Sequence, residues 1–204
     1  NGYYPDDYYL AGQGVSTYDL MDTITADTLK VNLIAIFAVF AVLLITMKSL
    51  ILPVILVFAI EAAIWINMGI PYFQDSIVQY IAYLIISSIQ LGATVDYAIL
   101  FTDRYLENRK SLSKKQSIVE TVSSVTTSIF TSGTVLAVVG FLLNGFSTHG
   151  ILKQLGLFLG RGTILSMVSV FFVLPGLLYI FDLVIQHANI NFSFKRKGKV
   201  KNNE

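Results

Sequence analysis

An aspartate and a tyrosine, Asp96 and Tyr97, stand side by side inside a long apolar stretch of the chain. If this stretch is a helix, Ser88 and Gly92 share a face with Asp96, because the three residues are spaced by four. A carboxyl group inside a membrane span usually faces the bundle interior and marks a proton or ion pathway. We therefore expect Asp96 to lie among packed helices as a proton relay, with Tyr97 gating the exchange through a hydrogen bond. The alternative is that Asp96 merely satisfies a neighbouring helix, and the accompanying polar stripe favours function.

Hydroxyl side chains are concentrated further along the chain. Between Thr121 and Thr134, nine of the fourteen residues are Ser or Thr. Helical spacing places four of them on one face: Ser124, Thr127, Thr131 and Thr134. These hydroxyls can carry a water chain towards Asp96, or they can bond to their own helix backbone and mark close packing. The sequence leaves both interpretations open.

Two further ionisable residues, Glu61 and Arg161, fall inside other apolar stretches. Their similar expected depth permits an ion pair between them. The favoured alternative is that Arg161 extends its guanidinium to the membrane interface.

Other kinds of chemistry have little support. The chain has no cysteine, and its two histidines, His149 and His187, show no metal-ligand spacing. No nucleophile–base pair and no phosphate-binding loop is recognisable. We therefore expect no enzymatic activity, no metal, no cofactor and no nucleic-acid partner.

The composition is that of a membrane protein. Hydrophobic residues make up 54% of the chain and charged residues only 13%, whereas soluble domains carry about 25% charged residues. Five apolar segments approach the length of about 20 residues that a helical span requires. They cover residues 31–47, 49–69, 77–101, 122–146 and 155–185. The sequence therefore predicts an all-α membrane protein with five transmembrane helices.

Basic residues predict the orientation. With the N-terminus outside, 11 of the 14 Lys and Arg residues lie on the inner side, as the positive-inside rule requires. We expect residues 1–29 to end an extracytoplasmic domain, residues 30–186 to form the transmembrane domain and residues 187–204 to be a basic cytoplasmic tail. The expected location is the plasma (inner) membrane, in contact with lipid.

Two stretches resemble the MMPL transporters of the resistance-nodulation-division (RND) superfamily. The stretch GATVDY at residues 92–97 resembles the family's G-x-x-x-D-Y signature, and residues 158–178 resemble its last helix. In that family each half consists of one helix, a large extracytoplasmic domain and five helices. The resemblance implies that this chain is the C-terminal part of one half. Because the chain begins at Asn1 and not at a methionine, we expect it to be part of something longer.

The resemblance also implies a function. It implies export of lipids or other hydrophobic compounds, driven by the proton motive force. It further implies that Asp96 and Tyr97 meet a matching pair from the other transmembrane half, in the same or a separate chain. Asn1 to Asp27 would be the last stretch of the porter domain.

Two other functions stay open. The run DRYLE at residues 103–107 faintly resembles the D-R-x-x-E run of SecD/SecF protein-translocation modules. Sterol-sensing domains are also five-helix relatives, and in such a lipid sensor Asp96 would be structural. The sequence does not identify the substrate.

Overall fold

The described part of the chain is a bundle of long helices. The computed structural model describes residues 13–47, 49–74 and 80–187. A π-helical segment, Ser169–Val173, joins the last two α-helices. The α-helices are α1 Gln13–Met47, α2 Ile51–Phe73, α3 Tyr80–Asn108, α4 Lys114–Phe146, α5 Gly150–Val168 and α6 Leu174–His187.

Five spans confirm the predicted all-α membrane fold. The first comprises Asp27–Met47 of α1, and the fifth runs from Gly150 to Ile185 through α5, the π-helical segment and α6. The described residues contain no β-strand. Because all backbone hydrogen bonds of a helix lie within it, helices are well suited to cross an apolar layer.

The helices extend beyond the predicted apolar segments. α4 begins eight residues before the predicted position 122, because Ser113 caps it. The Ser113 backbone N–H and hydroxyl both donate to Gln116 Oε1, at 3.4 and 2.7 Å, in the manner of a capping box. Hydropathy detects only the apolar part of a helix, so this polar first turn escaped prediction.

Both predicted domain boundaries fall within described helices, since the boundary between residues 186 and 187 lies at the end of α6, which reaches His187. α1 continues without a break from Gln13 across the predicted boundary between residues 29 and 30. Residues 1–12 and 188–204, which contain the start of the predicted outer segment and nearly all of the predicted tail, lie outside the described residues.

α2 lies at the centre of the bundle and α1 at its edge. α2 packs against α1, α3, α5 and α6 and buries residues on several sides, among them Leu52, Leu56 and Ile60. The spanning part of α1 is largely exposed. The Ser169 hydroxyl, in the π-helical segment, donates to the Ala59 carbonyl oxygen at 2.9 Å and so joins the fifth span to α2.

α4 and α5 form the most extensive helix pair, and glycines bring their backbones together. A Cβ atom added to Gly140 would lie 2.8 Å from the Gly156 carbonyl oxygen and from the Gly160 Cα atom. A Cβ atom on Gly156 would lie 2.5 Å from the Gly140 carbonyl oxygen. Small residues commonly permit such close approach in membranes. No side chain fits between the two helices here.

We predict that Gly140→Ala destabilises the bundle. The added methyl group meets backbone atoms that cannot rotate away, and overpacking of this kind costs about 1–3 kcal/mol. Chemical denaturation in mixed micelles measures the free energy of unfolding. Gly145→Ala is the matched control on the same helix, because nothing lies within 4 Å of its Cβ position. Equal stability of the two variants would contradict the packing argument.

Candidate functional site

Asp96 and Tyr97 lie on different sides of α3. Successive residues of a helix are rotated by about 100°, so Tyr97 is buried with 8% exposure while Asp96 is exposed. Asp96 stands at the centre of the span Ile85–Asn108. Tyr97 therefore packs into the bundle, and Asp96 points away from it.

The face of α3 that carries Asp96 is not covered by the described part of this chain. Ser88, Gly92 and Asp96 are all exposed, as their shared face requires. A Cβ atom on Gly92 would meet nothing within 4 Å. We call these three residues the open face of α3. The expectation that Asp96 lies among packed helices is wrong for the described helices by themselves, because none of them covers the open face.

The hydroxyl run of α4 bonds largely to its own helix. The Ser124 hydroxyl donates to the Thr121 carbonyl oxygen at 3.0 Å, and the Thr131 hydroxyl to the Thr127 carbonyl oxygen at 2.7 Å. Ser124, Thr127 and Thr131 are exposed. With Thr126 and Ser132, which also donate to the backbone of their own helix, the backbone-bonding interpretation holds for four hydroxyls of the run. The exposed side chains also give this helix a polar outer surface.

A buried acid that sequence reasoning missed lies on α6. Asp182 is 2% exposed and accepts a hydrogen bond from the Tyr105 hydroxyl at 2.7 Å. The Arg109 guanidinium donates to both carboxylate oxygens, Nε to Oδ1 at 3.0 Å and Nη2 to Oδ2 at 3.1 Å. Such two-point pairs are the strong, directional form of ion pairing. We call Tyr105, Arg109 and Asp182 the clamp.

The clamp fixes one end of the bundle. Arg109, which follows the α3 span, also donates from Nη1 to the Leu112 carbonyl oxygen at 3.0 Å. The hydrogen bond to Asp182 raises the pKa of the Arg109 guanidinium, so this side chain stays charged. Beside the clamp, the Lys114 ammonium lies 4.0 Å above the centre of the Tyr179 ring, a cation–π contact. Together these contacts tie α3 and α4 to α6.

A cavity of about 550 Å³ adjoins the clamp. Charged side chains from the end of α3 and from the two residues that follow it supply most of the lining. The lining consists of Asp103, Leu106, Glu107, Arg109, Lys110, Asp182 and Ile185. An acid inside the last apolar segment was a signal that could have identified Asp182. Its partner Arg109 is 73 positions away in sequence, and no local pattern connects the two.

Two buried amides join α2 and α3 to α5. Asn67 Nδ2 donates to Gln90 Oε1 at 2.7 Å and to the Phe158 carbonyl oxygen at 3.0 Å. Gln90 Nε2 donates to the Gly162 carbonyl oxygen at 3.3 Å and to Ser166 Oγ at 3.4 Å. Because buried polar groups are costly unless they are hydrogen-bonded, this network specifies how the three helices fit together.

The predicted ion pair between Glu61 and Arg161 is not formed. The Arg161 guanidinium donates instead to Asn67, from Nε to Oδ1 at 2.8 Å and from Nη2 to the carbonyl oxygen at 3.0 Å. Glu61 Oε2 accepts a hydrogen bond from Trp65 Nε1 at 3.0 Å. Asn67 lies six residues beyond Glu61, or about 9 Å along the helix. The Arg161 guanidinium, which binds Asn67, and the Glu61 carboxylate therefore lie at different depths in the bundle. Nor does Arg161 simply extend to the interface, since α2 holds it.

No metal centre can be assigned from the acids and histidines. Within residues 13–47, 49–74 and 80–187, no three His, Cys, Asp or Glu side chains come together.

Nearly the whole chain matches a known protein family. Residues 6–196 match the model of the MMPL family. The match includes the open face of α3 and the clamp. No curated protein matches the chain.

We predict that Asp182→Asn weakens the bundle by about 1–3 kcal/mol, because it leaves the Arg109 charge without its ionic partner. The free energy of unfolding in mixed micelles checks this value. Arg104→Gln is the control, since Arg104 pairs with Glu107 where both side chains are more than half exposed and such pairs contribute about 0–1 kcal/mol. A loss for Asp182→Asn no larger than that of the control would contradict a stabilising clamp.

Proposed function

Since the chain belongs to the MMPL family of RND-like membrane transporters, we propose that it exports lipids or other hydrophobic or amphiphilic compounds, driven by the proton motive force. In this proposal the described helices are the C-terminal part of one transmembrane half. Asp96 carries the proton, and Tyr97, which is buried on another side of α3, couples Asp96 to the rest of the bundle. The position of Asp96 at the centre of a span, on a face that the described helices leave open, is the observation that carries the proposal.

The open face is suited to a second polypeptide surface more than to lipid. A carboxylate facing lipid at mid-membrane costs about 3 kcal/mol on insertion scales. The neighbouring Ser88 and Gly92 are small, so another helix can approach Asp96 closely. We infer that the other transmembrane half, in the same or a separate chain, covers this face. Asp96 would then be buried between the halves, where a proton can be held and released.

Tyr97 would connect that interface to the rest of the bundle. Its ring lies in the apolar core, in the same cluster as Phe101 and Tyr105. On a helix these three residues follow each other at intervals of four and share a face. Tyr105 donates to Asp182 of the clamp. A shift of α3 on proton uptake would therefore be passed to α6. The hydroxyls of Ser124, Thr127 and Thr131 are proposed to support hydration on the polar side of α4.

We predict that Asp96→Asn abolishes proton-driven transport, because the amide cannot take up and release a proton in this role. The initial rate of export of a fluorescent lipid analogue, measured in energised inverted vesicles, should fall at least tenfold. The full transporter is used, and its expression and thermal stability should be unchanged. Glu120→Gln, at an exposed acid of α4, is the matched control. Export by Asp96→Asn at the rate of the unmodified protein would refute the proton-carrier role.

We predict that the α3–α4 connection lies in the cytoplasm and the α4–α5 connection outside, as the distribution of basic residues indicates. The natural absence of cysteine allows single-cysteine labelling at Ser111→Cys and Thr148→Cys. A membrane-impermeant maleimide should label the second variant in intact cells and the first only after permeabilisation. The reverse labelling pattern would overturn the proposed orientation.

A further inference from the structure

A second intramembrane acid, Glu61, borders a small cavity between α1, α2 and α3. The cavity measures about 30 Å³. Its polar lining consists of Asn32 from α1, Glu61 and Trp65 from α2, and Tyr83 and Ser87 from α3. The remaining lining residues are apolar. Glu61 stands near the centre of the span Ile51–Phe73.

Oxygen atoms of three chemical types meet around this cavity. The Ser87 hydroxyl donates to Asn32 Oδ1 at 2.8 Å, which joins α3 to α1. The Glu61 carboxylate accepts one hydrogen bond, from Trp65 Nε1. A carboxylate, an amide carbonyl and a hydroxyl are ligands that hard cations prefer.

No basic side chain among the described residues balances the charge of Glu61. The ion pairs formed within the described ranges are Lys30 with Asp27, Arg104 with Glu107 and Arg109 with Asp182. Arg161, a basic residue inside the fifth span, is held by Asn67. Tyr83 is the one other titratable group in the cavity lining. A carboxylate in an apolar surrounding is stable only when it is paired, binds a cation or takes up a proton.

The size of the cavity suits one small ion. A cavity needs about 10–15 Å³ to hold a water molecule, so this one accepts an occupant of that size. A divalent cation usually requires more than one carboxylate, and the described lining supplies only Glu61. We propose that this crevice is a binding site for a small monovalent cation, sodium or a hydrated proton. Glu61 provides the compensating charge, and Asn32 and Ser87 provide neutral oxygen ligands. The site goes beyond the proposed Asp96 proton carrier, which lies on another face of the bundle.

The test measures ion binding without transport. The full chain is placed in lipid nanodiscs, and binding of ²²Na⁺ is measured against choline at constant ionic strength. Proton uptake by the same samples is measured after a pH jump. For the sodium form we expect saturable binding that falls at least tenfold in Glu61→Gln and severalfold in Asn32→Ala and Ser87→Ala. For the proton form we expect no sodium binding, and one proton taken up per chain that Glu61→Gln removes.

Matched variants keep the result interpretable. Glu120→Gln and Ser132→Ala change an exposed acid and an exposed hydroxyl of α4 and should bind like the unmodified protein. Should Glu61→Gln fail to fold, Asn32→Ala and Ser87→Ala still test the site, because they remove neutral ligands only. If neither ion binds in a way that depends on these three residues, the cavity holds water only and the proposal is overturned. Asp96→Asn should leave sodium binding and the Glu61-dependent part of the proton uptake unchanged, which separates this test from that of the proton carrier.

Discussion

A polar side chain inside an apolar membrane must find a partner within the protein, and this constraint organises the described part of the molecule. Asp182 is satisfied by Tyr105 and Arg109. Asn67 and Gln90 satisfy each other and the backbone of α5. Each of these two sets of hydrogen bonds joins helices that are distant in sequence. The cost of an unpaired polar group thus fixes which helices are neighbours and at what depth.

The same constraint separates the groups that hold the fold from those suited to function. The clamp and the amide network are closed, because their hydrogen bonds are made between helices of this chain. Asp96 and Glu61 are different. Asp96 lies on the open face of α3, and Glu61 borders a small polar cavity without a basic partner among the described residues. Such unbalanced carboxyl groups are where a proton, an ion or a second protein surface would supply the missing interaction.

Close packing provides the rigid frame for these groups. The backbones of α4 and α5 touch at Gly140, Gly156 and Gly160, so α5 presents a fixed surface to α2 and α3. The π-helical segment of the fifth span accommodates the bond from Ser169 to α2. After this segment in the chain, α6 is held to the end of α3 by the clamp. A movement of α3 at Asp96 would therefore reach α6 directly through Tyr105.

The sequence by itself determined the five spans, the all-α class, the family and the shared face of Ser88, Gly92 and Asp96. These are local properties, because hydropathy and helical spacing are read over neighbouring residues. The tertiary structure decided that Asp96 points outward, that Arg161 binds Asn67 and not Glu61, and that Asp182 pairs with Arg109. Partners depend on the rotation and depth of each helix against the others. Packing over the whole bundle fixes both, and no short segment of sequence contains that information.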